Sequence, residues 1–325
     1  MKKFLNIFVI SFALVFSTST FANKIGVIYD SGGKFDKSFN ELAYNTAVRV
    51  QNELGWDMIE FEAANNTQIE QGMRKVADRG ATLVVAMGFA QADAVAAIAP
   101  QYPDVNFVAV DVCWVDDPAG NIYQACYLEH EGSFLVGVIA AMASKTGTIG
   151  FVGGMDIPLI RKFQGGYEQG ALHANPDIKI LANMTGTTPE AWNNPTKGAE
   201  LTKAQIDGGA DVVYQAAGGT GIGVLQAAAD AGIMGIGVDT NQNWMHPGSM
   251  LTSMLKRLDL TIFEQAEKTA AGTFEPGINI LGLAQGMVGY ATEDGMVTDE
   301  MAAAADAAAA GIIDGSISVA DWSQE

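Results

Sequence analysis

Apolar residues in this chain gather in short continuous runs bounded by glycine and polar residues. Residues 24–30 (KIGVIYD), 80–88 (GATLVVAMG) and 105–111 (VNFVAVD) are each built around such a run. A run of this length without alternation marks a strand covered on both faces, as in a parallel sheet. Between the runs the spacing turns helical, at residues 38–50 and in the alanine-rich stretch 90–99. Strands alternating with helices predict βαβ units.

The same order then recurs. The strand-like segment 148–154 (TIGFVGG) repeats 24–30, and the helical stretch 163–172 repeats 38–50. The run 209–217 matches 80–88, the alanine-rich 223–231 matches 90–99, and 233–239 (IMGIGVD) matches 105–111. Thr148 follows Lys24 by 124 positions, and the other matched strand-like runs keep offsets of 128 and 129. Two copies of one βαβ pattern predict two doubly wound, Rossmann-like α/β lobes with parallel sheets. Ligands of such sheets sit beyond the carboxyl ends of the strands. Two facing lobes turn that edge into a cleft, lined by the residues that end the strands: Asp30, Asp111 and Asp239.

The last quarter does not form a third copy. Residues 249–259 lead into a helix ending near 272, then strand-like 278–285 and 287–290, then the alanine-rich 302–311. The chain is expected to return to lobe one and recross to lobe two, giving three hinge crossovers. The expected division is 1–22 as signal peptide, 23–128 plus 251–280 as lobe one, and 129–250 plus 281–325 as lobe two.

The first residues predict the compartment. Met1, Lys2 and Lys3 precede an apolar run over 4–16, and Thr20, Phe21 and Ala22 form a cleavage box. The run is too short to span a bilayer, so it reads as a secretory signal peptide rather than a retained anchor. A soluble product kept in the periplasm is expected. The formal net charge is −19, and a surface this acidic disfavours nucleic acid and anionic membranes. The two cysteines, Cys113 and Cys126, lie at or beyond the ends of neighbouring strand-like segments. In an oxidising compartment they form a candidate disulfide. The three histidines show no metal-ligand spacing, and neither a metal nor a cofactor is expected.

No catalytic signature appears: no Gly-x-Ser-x-Gly, no His-Glu-x-x-His, no phosphate-binding loop with lysine. Residues 218–223 (GGTGIG) follow a strand and open a helix. The order of glycines is wrong for a dinucleotide loop, so Gly219 is read as backbone approaching a ligand at a helix N-terminus. Asp111 and Asp239 have two readings, as a glycosidase pair or as acceptors for ligand hydroxyls. The absence of a third relay group favours binding over catalysis.

Six segments together resemble the basic membrane protein family of ABC transporter substrate-binding proteins. They are Tyr29 and Asp30, then residues 35–40 (FDKSFN), Asp111, 131–137 (EGSFLVG), 237–242 (GVDTNQ) and 253–259 (SMLKRLD). The resemblance covers nearly all of the chain after the signal peptide. It implies a type I periplasmic-binding fold, a purine nucleoside ligand, ABC permease subunits as partners, a monomer and no enzymatic activity. It further implies that Phe39 stacks on the base with Asn40 beside it, and that Asp30 and Asp111 serve the first lobe. In the second lobe Trp192 forms the other face of the stack, Asp239 receives ribose hydroxyls and Lys256 assists. This chain departs from many members in lacking a lipid-attachment cysteine, and Trp192 stands where phenylalanine is common. The alternatives are a secreted nucleoside-processing hydrolase, or a receptor for another aromatic or sugar-like molecule.

Overall fold

The structure, a computed structural model, describes residues 22–63 and 66–324. All but the last residue of the expected signal peptide lies outside the described residues. The elements run β1 (Lys24–Tyr29), α1 (Phe39–Leu54), β2 (Asp57–Glu62), α2 (Ile69–Asp78), β3 (Leu83–Ala86), α3 (Ala92–Ile98), β4 (Asn106–Val110) and β5 (Ile122–Tyr127). They continue as α4 (Glu129–Ala143), β6 (Thr148–Met155), α5 (Pro158–Ala174), β7 (Lys179–Gly186), α6 (Pro195–Asp207), β8 (Val212–Ala216), α7 (Gly221–Asp230) and β9 (Met234–Asp239). The chain closes with β10 (Met250–Lys256), α8 (Leu258–Ala271), β11 (Gly277–Leu281), β12 (Val288–Tyr290) and α9 (Asp299–Asp314).

The strands form two six-stranded sheets, ordered β2-β1-β3-β4-β5-β11 and β7-β6-β8-β9-β10-β12. Every pairing is parallel except β12 on β10. The central strands β3, β4 and β8 bury all of their residues apart from the first of β4, as strands covered by helices on both faces must. The two sheets therefore have equivalent order, and the lobes are the two copies legible in the sequence. The chain passes between them three times: after β5, after β10 and between β11 and β12.

Two boundaries differ from the expected division, one of them by the single residue Leu281, which ends β11 in the first sheet. The expected division places residues 251–256 in lobe one, but β10 lies in the second sheet, parallel to β9 and beside β12. The second passage thus falls at Arg257, after Lys256. An apolar strand has the same pattern in either sheet, and only long-range pairing decides where it goes.

Among the described residues no helix is long and apolar enough to cross a membrane, and no group of three or more His, Cys, Asp or Glu could hold a metal ion.

Candidate functional site

A narrow cavity opens between the lobes at the carboxyl ends of the strands. Of the residues singled out in the sequence, Asp30, Phe39, Asp111, Trp192, Asp239 and Lys256 line it. Asn40 and Gly219 do not. Asn40 stands behind Asp30, donating from Nδ2 to Asp30 Oδ1 (2.6 Å) and accepting from the Asp30 amide (3.1 Å). Gly219 packs its backbone close to the Gly32 carbonyl of the other lobe, while its neighbour Gly218 faces the cavity.

Asp111 and Asp239 occupy equivalent places, directly after β4 and at the end of β9. Both are left-handed, with φ of 62° and 67°, a conformation that aspartate tolerates better than most side chains. The tight turn aims each carboxylate at the cleft. Ser38, at the start of α1, donates to Asp239 Oδ2 (2.5 Å) and to the Val238 carbonyl (3.2 Å). Gln242 donates to the Lys37 carbonyl (2.9 Å). The loop entering α1 is therefore held against the second lobe.

That loop is organised by Asp36, which the sequence reading passed over. It is 3% exposed and accepts from the amides of Ser38, Asn40 and Glu41 at 2.9–3.1 Å. It satisfies the free N–H groups of the first turn and so fixes Phe39 on the cavity wall. Burial pushes its carboxyl up to about 7, against those hydrogen bonds and with help from the nearby charge of Asp30. Burial also raises Asp30 and Asp239.

Lys256 ends β10, 1% exposed. Its Nζ lies 2.5 Å from Asp111 and 2.9 Å from Glu129, the first residue of α4. Glu129 also pairs with Lys162 at 2.8 Å, and Lys162 donates to the Tyr127 carbonyl at 2.6 Å. Burial alone would raise Glu129, but the two ammonium groups hold it down at about 2. Burial raises Asp111 to about 6 against the pull of Lys256. The three carboxylates around Lys256 more than offset its burial and keep it protonated.

Aromatic rings supply the rest of the wall. Lys256 Nζ sits 5.3 Å from the Phe39 ring centre and 5.7 Å from that of Phe163. Phe163 was missed as a site residue, although it follows Phe39 by the same 124 positions that separate Thr148 from Lys24. The repeat itself was the signal. Phe89 completes the lobe-one side. Trp192 rests against Gly154 and Gly218, and a Cβ on Gly154 would collide with its ring. The lining suits the chemistry of a flat, partly polar molecule with several hydroxyl or N–H donors: rings for its faces, carboxylates for its edges.

A roomier space adjoins this chamber, sharing Phe89, Asp111 and Leu159 and walled also by Glu129 and Lys162. Its wall includes Cys113 and Cys126, which are joined by a disulfide with Cα atoms 5.6 Å apart.

Comparison with known proteins agrees with this architecture. A family model described as ABC transporter substrate-binding protein PnrA-like matches residues 22–322. Basic membrane protein A2 of Borrelia garinii subsp. bavariensis is 33% identical over 285 residues, covering 86% of this chain and 82% of that protein. The ABC transporter nucleoside-binding protein BmpA of Lactococcus lactis subsp. cremoris is 32% identical over 319 residues, covering 91% and 88%. Among solved structures, an ABC transporter solute-binding protein from Aeropyrum pernix K1 superimposes with a TM-score of 0.83 at 25% identity, covering 92% of this chain and 93% of that one.

Proposed function

The chain belongs to the family of PnrA-like ABC transporter substrate-binding proteins, and from that premise we propose that its interlobe chamber binds a purine nucleoside for delivery to an importer. The observation that carries the reading is a chamber with aromatic rings from both lobes and an aspartate at the matching strand end of each. The base lies among Phe39, Trp192 and Phe163, and Asp239 with Lys256 receives the ribose. Asp30 and Asp111 take the base edge or the remaining hydroxyl. Each base–ring stack is worth roughly 1–3 kcal/mol, and each hydrogen bond to a charged carboxylate roughly 1.5–3 kcal/mol. After the cost of association, micromolar affinity or better is within reach. In this reading the protein is a monomeric periplasmic receptor that meets the permease subunits of its transporter and does not turn its ligand over.

Titration calorimetry with adenosine, guanosine, inosine and their 5′-monophosphates tests it. At least one nucleoside should bind, and its monophosphate should bind at least tenfold more weakly, because Asp30, Asp111 and Asp239 outnumber the single lysine in the wall. Asp239→Ala should cost more than Trp192→Ala, since it leaves ligand hydroxyls unpaired in a buried site. Failure of every nucleoside, or tightest binding by a monophosphate, overturns the reading. Steady release of free base would make the protein a hydrolase instead.

A further inference from the structure

Lys256 is contested. Asp111 and Asp239 line the interlobe chamber, while Glu129 lines only the space adjoining it. A lysine ammonium has three N–H donors and no fixed geometry of its own. Left to Asp111 and Asp239 alone, it would settle between them and neutralise the groups that face the ligand. Glu129 pulls from behind at 2.9 Å. It is itself fixed by Lys162 at 2.8 Å and is 0% exposed. Lys162 is tied in turn to the Tyr127 carbonyl at 2.6 Å. The row Lys162–Glu129–Lys256–Asp111 alternates in sign, so each buried charge has an opposite neighbour, the condition under which buried charges are tolerated. Glu129 also begins α4 directly after the first passage between lobes, and Lys256 ends β10 directly before the second.

We propose that Glu129 is a positioning residue: with Lys162 it holds Lys256 so that two of the ammonium directions are occupied by Asp111 and Glu129 and the third faces the chamber. Asp239 is thereby left to the ligand. The part of this proposal that concerns the ligand rests on the nucleoside reading; the part that concerns Lys256 does not.

The experiment has two arms on the full mature chain, comparing wild type with Glu129→Gln and with Lys256→Met. The first arm uses no ligand. Nitrogen-15 NMR of lysine ammonium groups should show a sharp, slowly exchanging Lys256 signal in wild type, assigned by its loss in Lys256→Met. The signal should broaden beyond detection in Glu129→Gln. A Lys256 signal unchanged in Glu129→Gln overturns the proposal. The second arm titrates the tightest-binding nucleoside and its free base. Glu129→Gln should weaken the nucleoside about tenfold and the base less than twofold, and in the double variant it should add nothing to Lys256→Met. Equal losses for nucleoside and base would mark Glu129 as merely structural and overturn the proposal. If wild type binds no nucleoside, the functional reading falls and the first arm still decides the role of Glu129. Should Glu129→Gln not fold, Glu129→Asp replaces it. One methylene shorter, it withdraws from Lys256, and the same two losses are expected; an undisturbed signal with undisturbed binding overturns the proposal.

Discussion

Asp36 and Glu129 are both buried carboxylates, and their surroundings push them in opposite directions. The Asp36 carboxyl rises from an ordinary 3.8 to about 7, so the folded protein holds a proton there that the unfolded chain has already lost. Stability from this group is present at acid pH and is lost as pH rises from about 4 through about 7. Asp111, raised to about 6, adds to the same slope. Glu129, lowered from 4.5 to about 2, does the reverse: its contribution is lost as pH falls through that window. The melting temperature should therefore peak near pH 4–5, and Asp36→Asn should flatten the descent toward neutrality. Calorimetric melting across pH 3–8 checks both statements; a melting temperature that climbs steadily to pH 7 would contradict them. Neither residue was legible as buried. Asp36 and Glu129 sit at helix starts, where a sequence gives acids a solvated, dipole-favoured place, and only tertiary packing reveals that they are covered. Asp111 and Asp239 were legible because a charged residue ending a buried apolar run has a single place to go.

The elements themselves were mostly readable, since runs without alternation and helical spacing are local patterns. What escaped was long-range. The strand β10 was expected in the first lobe and pairs in the second. Phe163 was seen as part of a helix and not as a chamber wall, although the repeat carries it onto Phe39. Trp192 reaches the cavity from a short helical turn, Pro189–Trp192, whose position depends on Gly154 leaving room for the ring. At this scale the disulfide has a defined effect. Cys113 lies two residues beyond Asp111, and Cys126 lies near the end of β5. Their bond closes a loop with a separation of 13 residues, worth about 3 kcal/mol in the chain-entropy account. Replacing both cysteines by serine should lower stability by about that amount and weaken ligand binding by less than threefold, because Lys256 still holds Asp111. Chemical denaturation together with calorimetry measures the two effects. A binding loss larger than the stability loss would mean that the loop itself belongs to the site.

At the level of the molecule, the cleft is a contact between lobes. Ser38 on Asp239, Gln242 on the Lys37 carbonyl and Lys256 on Asp111 all join one lobe to the other. Contacts of this kind exist only when the lobes are together, so a ligand that adds to them shifts the population toward closure. Solution scattering should show a smaller radius of gyration at saturating ligand; an unchanged radius would indicate a rigid cleft. The passages between lobes have a second consequence. Helix α4 follows the fifth strand of lobe one yet packs on α5, α9 and β12 of lobe two, while α8 follows β10 of lobe two and packs on α1 of lobe one. Each half of the duplicated chain has lent a helix to the other, which is a domain swap closed within one polypeptide. Helix α4 buries 13 of its 15 residues, so it is not a helix that water would tolerate bare. An isolated first half, residues 23–147, should therefore satisfy α4 by trading it with a second copy, and light scattering should find a two-fold dimer.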